Sequence, residues 1–318
     1  MAIATTATAE PLRSVAGAQY VGRFAPSPTG PLHLGSLTTA LASCLEARVH
    51  GGRWLLRIED LDAPRRVPGA ADTMLRTLEQ LGFNWDGAVV WQSRRTAAYA
   101  AALDRLQAEG LTYTCGCSRR QLQELTGDSG YPGTCRHGTS APPPWSIRFR
   151  MPDAGILCID DALAGRSCTD LAALGDPVIR RRDGLYAYQL AVVVDDAAAG
   201  VTDVVRGADL LGCCAWQRCL QRALGLPEPR YLHVPLVTAA DGGKLSKSTH
   251  AVPLDAERAA QWLFLALQLL CQRPPTGLFG AGVAEVWQWA LEAWEIQALR
   301  GSTDMPHQGR LPTSGVAD

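Results

Sequence analysis

The chain has 318 residues, with 30 Lys and Arg against 31 Asp and Glu and a formal net charge of −1. The length suffices for two domains and a sizeable core. The balanced charge excludes a bulk polycationic nucleic-acid binder, while leaving room for a local basic face built from Arg119, Arg120, Arg136, Arg148, Arg150 and the run Arg180, Arg181, Arg182. No apolar run of about 20 residues is present, so no membrane span is expected. The N-terminal MAIATTATAEPLRS lacks a signal-peptide core, which with ten unevenly spaced cysteines leads to the expectation of a cytoplasmic protein with reduced thiols.

Residues 1–19 are rich in Ala and Thr and are expected to form a disordered tail. Tyr20 to Phe24 reads as a buried strand. Pro26, Pro28, Gly30 and Pro31 then break the chain, and an amphipathic segment runs from about Leu37 to Arg48. Residues 54–59 read as a second strand, 69–82 as a helix with Met74, Leu75, Leu78 and Leu81 on one face, 89–92 as a short strand and 94–109 as a helix. From 113 the pattern dissolves into Cys, Gly and Pro, then returns as strands at 147–151 and 185–194. Strands at 201–206 and 231–237 flank a helix at 209–224; 255–271 and 282–299 read as helical, and 301–318 as a polar disordered tail. Strands alternating with helices predict an α/β fold with a parallel sheet. The sheet is expected to be split into halves at 20–112 and 185–250 by an insertion at 113–184, with a helical region following in 251–318.

Two strings carry the chemistry: FAPSPTGPLHLG at 24–35 and KLSKS at 244–248. The first makes a strand, a tight loop and a helix start, the layout of a nucleotide site at the carboxyl end of a parallel strand. Gly30 and Gly35 allow sharp turns and close ligand approach, the helix start offers free N–H groups, and His33 and Ser36 place polar donors where a triphosphate would bend. The second string follows Asp241, Gly242 and Gly243. Its cations, Lys244 and Lys247, suit charge that develops on phosphates during attack at the α-phosphorus.

The pair resembles the HIGH and KMSKS signatures of class I aminoacyl-tRNA synthetases, with Ser36 in place of the second His and Leu245 in place of Met. FAPSPTG, RIEDLD at 57–62, YAYQLAVVVDD at 186–196 and GVTDVVRGADLL at 200–211 resemble the glutamyl/glutaminyl branch, over roughly residues 20–250. The resemblance implies a class I Rossmann-like sheet; Mg²⁺ is expected from the chemistry of ATP. The resemblance also places His33, Gly35, Ser36 and Lys247 on ATP, with His33, Lys244 and Lys247 as the catalytic groups.

Free glutamate carries two carboxylates and one ammonium, so a selective pocket needs two cations and one anion. Arg23, Glu59 and Arg206 all lie at predicted strand ends and offer that set; interdomain salt bridges are the alternative for the three. Carried over from the family's motifs, Arg23, Phe24, Ala25, Pro26 and Ser27 line the glutamate site, Glu59 takes the ammonium, and Tyr188 and Arg206 complete it, Arg206 facing the side-chain carboxylate. Gln189 departs from the Asn of full-length glutamyl synthetases.

Only 70 residues follow Ser248, which leads to the expectation that the anticodon-binding domain that full-length members carry there is absent. The chain therefore resembles the short relatives that form glutamyl-adenylate without RNA and transfer glutamate to queuosine in the anticodon loop of tRNA(Asp). The expected partners are L-glutamate, ATP and queuosine-bearing tRNA(Asp), with the chain a monomer. The alternatives are a minimal synthetase charging the 3′ end and a non-enzymatic nucleotide- or RNA-binding paralogue.

Cys115, Cys117 and Cys135 suit a structural Zn²⁺ in a loop-rich segment, against the alternative of plain reduced cysteines. Chemistry alone leaves the fourth ligand open between His137 and Tyr131. The Tyr-x-x-x-Cys spacing resembles the ligand pattern of the short relatives and implies Tyr131. Cys44, Cys158, Cys168, Cys213, Cys214, Cys219 and Cys271 have no ligand spacing and read as core or surface thiols.

Overall fold

The computed structural model describes residues 19–126, 130–238, 253–302 and 304–306. Strand and helix alternate first: β1 (Val21–Phe24), α1 (Leu34–Val49), β2 (Arg53–Ile58), α2 (Ala70–Gln80), β3 (Val90–Trp91) and α3 (Thr96–Ala108). β1, β2 and β3 pair in parallel. The following segment carries β4 (Thr112–Cys115), α4 (Arg119–Thr126), β5 (Ser146–Phe149), β6 (Ile156–Asp161), β7 (Gly165–Asp170), α5 (Leu171–Leu174) and β8 (Val178–Arg180). β4, β5 and β8 form a small antiparallel sheet.

Parallel alternation resumes with α6 (Tyr188–Ala198), β9 (Asp203–Gly207), α7 (Cys214–Ala223), β10 (Arg230–Val234) and β11 (Leu236–Thr238). The chain then adds α8 (Ala259–Leu269), α9 (Val283–Ala293) and β12 (Asp304–Pro306). β10 pairs with β9 on one side and, at Tyr231 opposite Asp161, with β6 on the other, so the β6–β7 hairpin extends this sheet in the order β7-β6-β10-β9. The two parallel sets abut at β1 and β9: Thr202 N donates to Val21 O at 3.0 Å, and Val21 N donates to Thr202 Oγ1 at 2.9 Å.

The core lies on both faces of these strands. One side packs Leu37, Leu41 and Leu45 of α1 with Trp54, Leu78 and the buried length of α8. The other packs Tyr99, Leu103 and Leu106 of α3 with Leu190, Val193 and Leu220 of α6 and α7. Transfer of such side chains from water is worth roughly 1.5–3 kcal/mol each.

Four expectations are corrected, and two fall outside the described residues. Residues 185–194 are not a strand: the Val-rich run folds as α6, buried around nearly its whole circumference, and an all-apolar run gives no period by which to separate the two states. The strand expected at 231–237 is two strands, interrupted at Pro235, which has no N–H to donate. Within the tail expected at 301–318, residues 304–306 form β12, paired in parallel with β11, with Met305 buried. Cys158 and Cys168 are a disulfide rather than free thiols; the β6–β7 register sets them directly opposite one another, a juxtaposition that sequence spacing does not reveal. The tail at 1–18 and the KLSKS run lie outside the described residues. Among those described, no helix is long and apolar enough to cross a membrane.

Candidate active site

A cavity of about 970 Å³ opens at the carboxyl ends of β1, β2 and β9, where parallel strands leave room for a ligand. Arg23, Phe24, Ala25, Pro26 and Ser27 line it, with His33, Gly35, Ser36, Glu59, Tyr188 and Arg206. These eleven are all the expected glutamate and ATP residues that fall within the described part of the chain. The loop after β1 is held by short bonds: Thr29 N donates to Ser27 O at 2.8 Å, and Glu59 N donates to Pro26 O at 3.0 Å, tying β2 to the loop. Gly207 closes β9, where a Cβ would stand 2.6 Å from Asp209 Oδ1.

His33 caps α1. Its Nδ1 accepts from Ser36 N at 3.3 Å, while Ser36 Oγ accepts from His33 N at 2.8 Å and donates to His33 O at 2.7 Å. The hydroxyl of Ser36 is thus engaged in the cap. Nδ1 being an acceptor, the neutral His33 ring carries its proton on Nε2.

The buried charges form a network. Arg23 Nε donates to Asp196 Oδ1 at 3.1 Å and Arg57 Nη1 donates to the same oxygen at 2.6 Å. Arg57 Nη2 also donates to Glu59 Oε1 at 3.3 Å. Asp195, beside Asp196 on α6, accepts from Arg95 at 2.5 Å, Tyr99 at 2.7 Å and Gln92 at 2.8 Å. Burial raises the Glu59 pKa, with the charges of Arg57 and Arg23 opposing the shift; Asp196 is held below the usual carboxylate value because the same arginines outweigh its burial. Ion pairing therefore holds for Arg23 and Glu59, but among β1, β2 and α6 rather than as the interdomain bridges of the alternative reading.

It does not hold for Arg206. This guanidinium is buried, stacks 5.0 Å over the Tyr231 ring and donates to His233 Nε2 at 2.9 Å, Gln217 Oε1 at 2.8 Å, Cys214 Sγ at 3.0 Å, Leu210 O at 3.3 Å and Tyr188 Oη at 3.4 Å. Every one of these partners is neutral, so its charge has no paired anion among the described residues. A buried cation without a partner is costly, and a ligand carboxylate in the cavity would supply one. Burial pushes the Tyr188 phenol up to about 12, keeping it protonated. Gln189 accepts from Gln217 at 3.0 Å, joining the shell around Arg206.

The cysteine cluster stands apart, at the end of β4. The sulfurs of Cys115, Cys117 and Cys135 all lie within 4.8 Å of one another. Tyr131 Oη is 3.5 Å from Cys115 Sγ and 3.9 Å from Cys117 Sγ, and Cys117 Sγ is 3.5 Å from Cys135 Sγ. Tetrahedral thiolates about 2.3 Å from an ion are separated by roughly 3.8 Å, so the three sulfurs could hold one metal, with Tyr131 Oη beside two of them and also accepting from Cys135 N at 2.8 Å. Tyr131 is delivered by a bridge to Gly175, whose Cβ would stand 2.3 Å from Tyr131 N, and Arg148 stacks 3.6 Å over its ring. His137, the other candidate, is exposed and outside the cluster.

Sequence reasoning missed Arg57, Asp195 and Asp196, although RIEDLD and the DD of YAYQLAVVVDD contain them; their pairing depends on α6 being a helix. It also missed Asp62, Arg65 and Arg66 on the cavity wall, and Gln217, Cys214 and His233 around Arg206.

The model for tRNA synthetases class I (E and Q), catalytic domain, matches residues 19–273. A protein of Ectopseudomonas mendocina named glutamyl-Q tRNA(Asp) synthetase is 55% identical over 281 residues, 88% of this chain and 95% of that protein. One of the same name from Pseudomonas aeruginosa PAO1 is 51% identical over 290 residues, 91% of this chain and 98% of the other. The crystal structure of glutamate-tRNA synthetase from Elizabethkingia anophelis superposes with a TM-score of 0.76 at 25% identity, over 91% of this chain and 68% of that one.

Proposed function

Because the chain belongs to the class I tRNA synthetases of the E and Q type and is a ligase of that class, we propose that it activates L-glutamate with ATP, without RNA, and transfers glutamate to the cyclopentenediol of queuosine in tRNA(Asp). The observation that carries the reading is Arg206, a buried cation on the cavity wall with only neutral partners.

In this reading Arg206 takes the side-chain carboxylate and Glu59 the ammonium, beside the loop Arg23–Ser27. The α-carboxylate of glutamate itself attacks the α-phosphorus, so the site needs alignment and charge stabilisation rather than a protein nucleophile. His33 Nε2–H and the backbone at Gly35 and Ser36 face the nucleotide from the start of α1. Lys244 and Lys247 are assigned, on sequence, to phosphate charge that grows in the transition state. Mg²⁺ enters with ATP as a phosphate counter-ion. The insertion at 113–184 would hold structural Zn²⁺ through Cys115, Cys117, Tyr131 and Cys135, a clamp between β4 and the loop beside Gly175.

Two measurements test the proposal. Glutamate-dependent ATP–pyrophosphate exchange should proceed without RNA. Glutamate incorporation into 3′-protected tRNA(Asp) should occur with queuosine present and vanish without it. A strict RNA requirement for exchange, or incorporation lost on 3′ protection, would refute the corresponding half.

A further inference from the structure

Arg206 is held from behind by His233, Gln217 and Cys214, none of which lines the cavity, and His233 is in turn held by Asp161. Arg206 Nε donates to His233 Nε2, and His233 Nδ1 lies 2.6 Å from Asp161 Oδ2; both of the latter side chains are 0% exposed. Arginine Nε can only donate, so Nε2 of His233 must be the acceptor, and the neutral ring carries its proton on Nδ1, toward Asp161. Asp161 is itself fixed: Oδ1 accepts from Leu163 N at 2.9 Å and Ala164 N at 2.8 Å, and Oδ2 accepts from His233 N at 3.1 Å.

We propose that Asp161 and His233 form a relay that sets the plane of Arg206 for the substrate's side-chain carboxylate, making them positioning residues for amino-acid selection. The inference rests on the glutamate reading above. A guanidinium can swing about its Cδ–Nε bond, and two parallel N–H bonds to a carboxylate demand one plane. The bond from Nε to His233 and the Tyr231 ring beneath fix that plane at the stem of the guanidinium, while Gln217, Cys214 and Leu210 O hold its outer nitrogens.

The relay also explains why an imidazole stands between the two charges. Arg23 pairs directly with Asp196, which takes up part of its charge. A carboxylate placed directly on Arg206 would compete with the substrate in the same way. Moving it one ring away keeps the hydrogen bond and leaves the cation's field for the ligand. The register supplies the geometry, since β6 delivers Asp161 opposite Tyr231 of β10, two residues before His233.

The groups facing His233 are Asp161 of β6, Arg206 of β9, Cys214 of α7 at 3.6 Å and Tyr231 of its own strand, with Arg23 of β1 adding positive charge. Burial, with the charges of Arg206 and Arg23, holds the His233 pKa below its ordinary 6.5 against the pull of Asp161. Protonation would remove the acceptor and set a second cation against Arg206. The relay is therefore intact at neutral pH and lost as pH falls through this lowered value.

The test is glutamate-dependent ATP–pyrophosphate exchange by the full chain between about pH 5.5 and 8, the range spanning the ordinary histidine value. The KM for ATP serves as internal reference and circular dichroism as the folding control. Asp161→Asn should turn its amide N–H₂ toward Nδ1, since two backbone N–H groups claim its oxygen, and so force the wrong His233 tautomer. Asp161→Asn and His233→Leu should each raise the glutamate KM by roughly ten- to a hundredfold, the loss of one bond to a charged group, with much less effect on the KM for ATP. His233→Gln, whose amide oxygen can replace Nε2 but cannot titrate, should recover most of the affinity lost in His233→Leu and reduce the acid rise in glutamate KM to the part that Glu59, whose pKa is raised by burial, contributes. Should the first two variants fail to fold, the His233→Gln profile decides: an acid rise equal to that of the wild type overturns the relay. Wild-type exchange with an unchanged glutamate KM in folded Asp161→Asn and His233→Leu overturns the relay alone. Absence of glutamate-dependent exchange in the wild type overturns the activity reading and the relay with it.

Discussion

Arg57 Nη1 reaches Asp196 Oδ1 at 2.6 Å, joining β2 to α6 inside the protein. The same oxygen accepts Arg23 Nε, and the same arginine extends Nη2 to Glu59 Oε1. One buried carboxylate therefore sets both a cation and an anion of the proposed amino-acid site.

Asp196→Ala should destabilise the fold by about 3–5 kcal/mol, because it leaves two buried guanidinium groups short of an anion. Urea denaturation of variant and wild type measures this directly. The pH dependence has a definite sign. The folded pKa of Asp196 lies below its ordinary 3.8, so its contribution is complete above that value and is lost as pH falls through the folded one. Glu59 is shifted upward, so its contribution declines as pH rises above 4.5, and it cannot account for an acid loss. A stability curve in which Asp196→Ala retains the wild-type acid slope would contradict this assignment.

Arg206→Gln should weaken glutamate binding selectively. The substrate carboxylate would lose its guanidinium, while neutral glutamine would lose less, so discrimination between the two should shrink from the glutamate side. Calorimetric titration of both amino acids against wild type and variant checks the point. Unaltered glutamate affinity would move the side-chain anchor to Arg23.

Lys247→Ala should lower kcat for exchange by roughly a hundred- to a thousandfold with a small change in the glutamate KM, as expected for a charge used mainly in the transition state. Steady-state exchange kinetics separate the two effects. Unchanged turnover would remove Lys247 from the chemistry.

Cys117→Ser should lower bound zinc and loosen the segment around Cys115–Cys135 while the parallel sheet stays folded. Elemental analysis and limited proteolysis measure the two parts. One equivalent of zinc retained in the variant would place the metal elsewhere. Full retention in His137→Ala is the matching expectation, since that side chain is exposed and outside the cluster.

How much was legible in the sequence varied with the range of the forces involved. The stretch from Arg23 to Ser36 was readable because proline, glycine and the helix cap dictate the chain locally, and its residues converge on one cavity. Residues 185–194 were misread because Val192, Val193 and Val194 suit a strand as well as a buried helix, and only packing against α3 and α7 decides. Asp161, His233 and the Cys158–Cys168 pair depend on which strand lies beside which, a choice with no local signature.

The pairing of β12 with β11 reaches further than its three residues suggest. Leu236 and Val237 form part of the cavity wall, and Asp304 and Met305 lie across from them. Shortening the gene at Arg300, where the sequence turns polar, would leave β11 without its strand partner beside the cavity. A trimmed enzyme would then combine weakened catalysis with a tendency to stick to other chains, and both faults would trace to a strand that composition alone reads as dispensable.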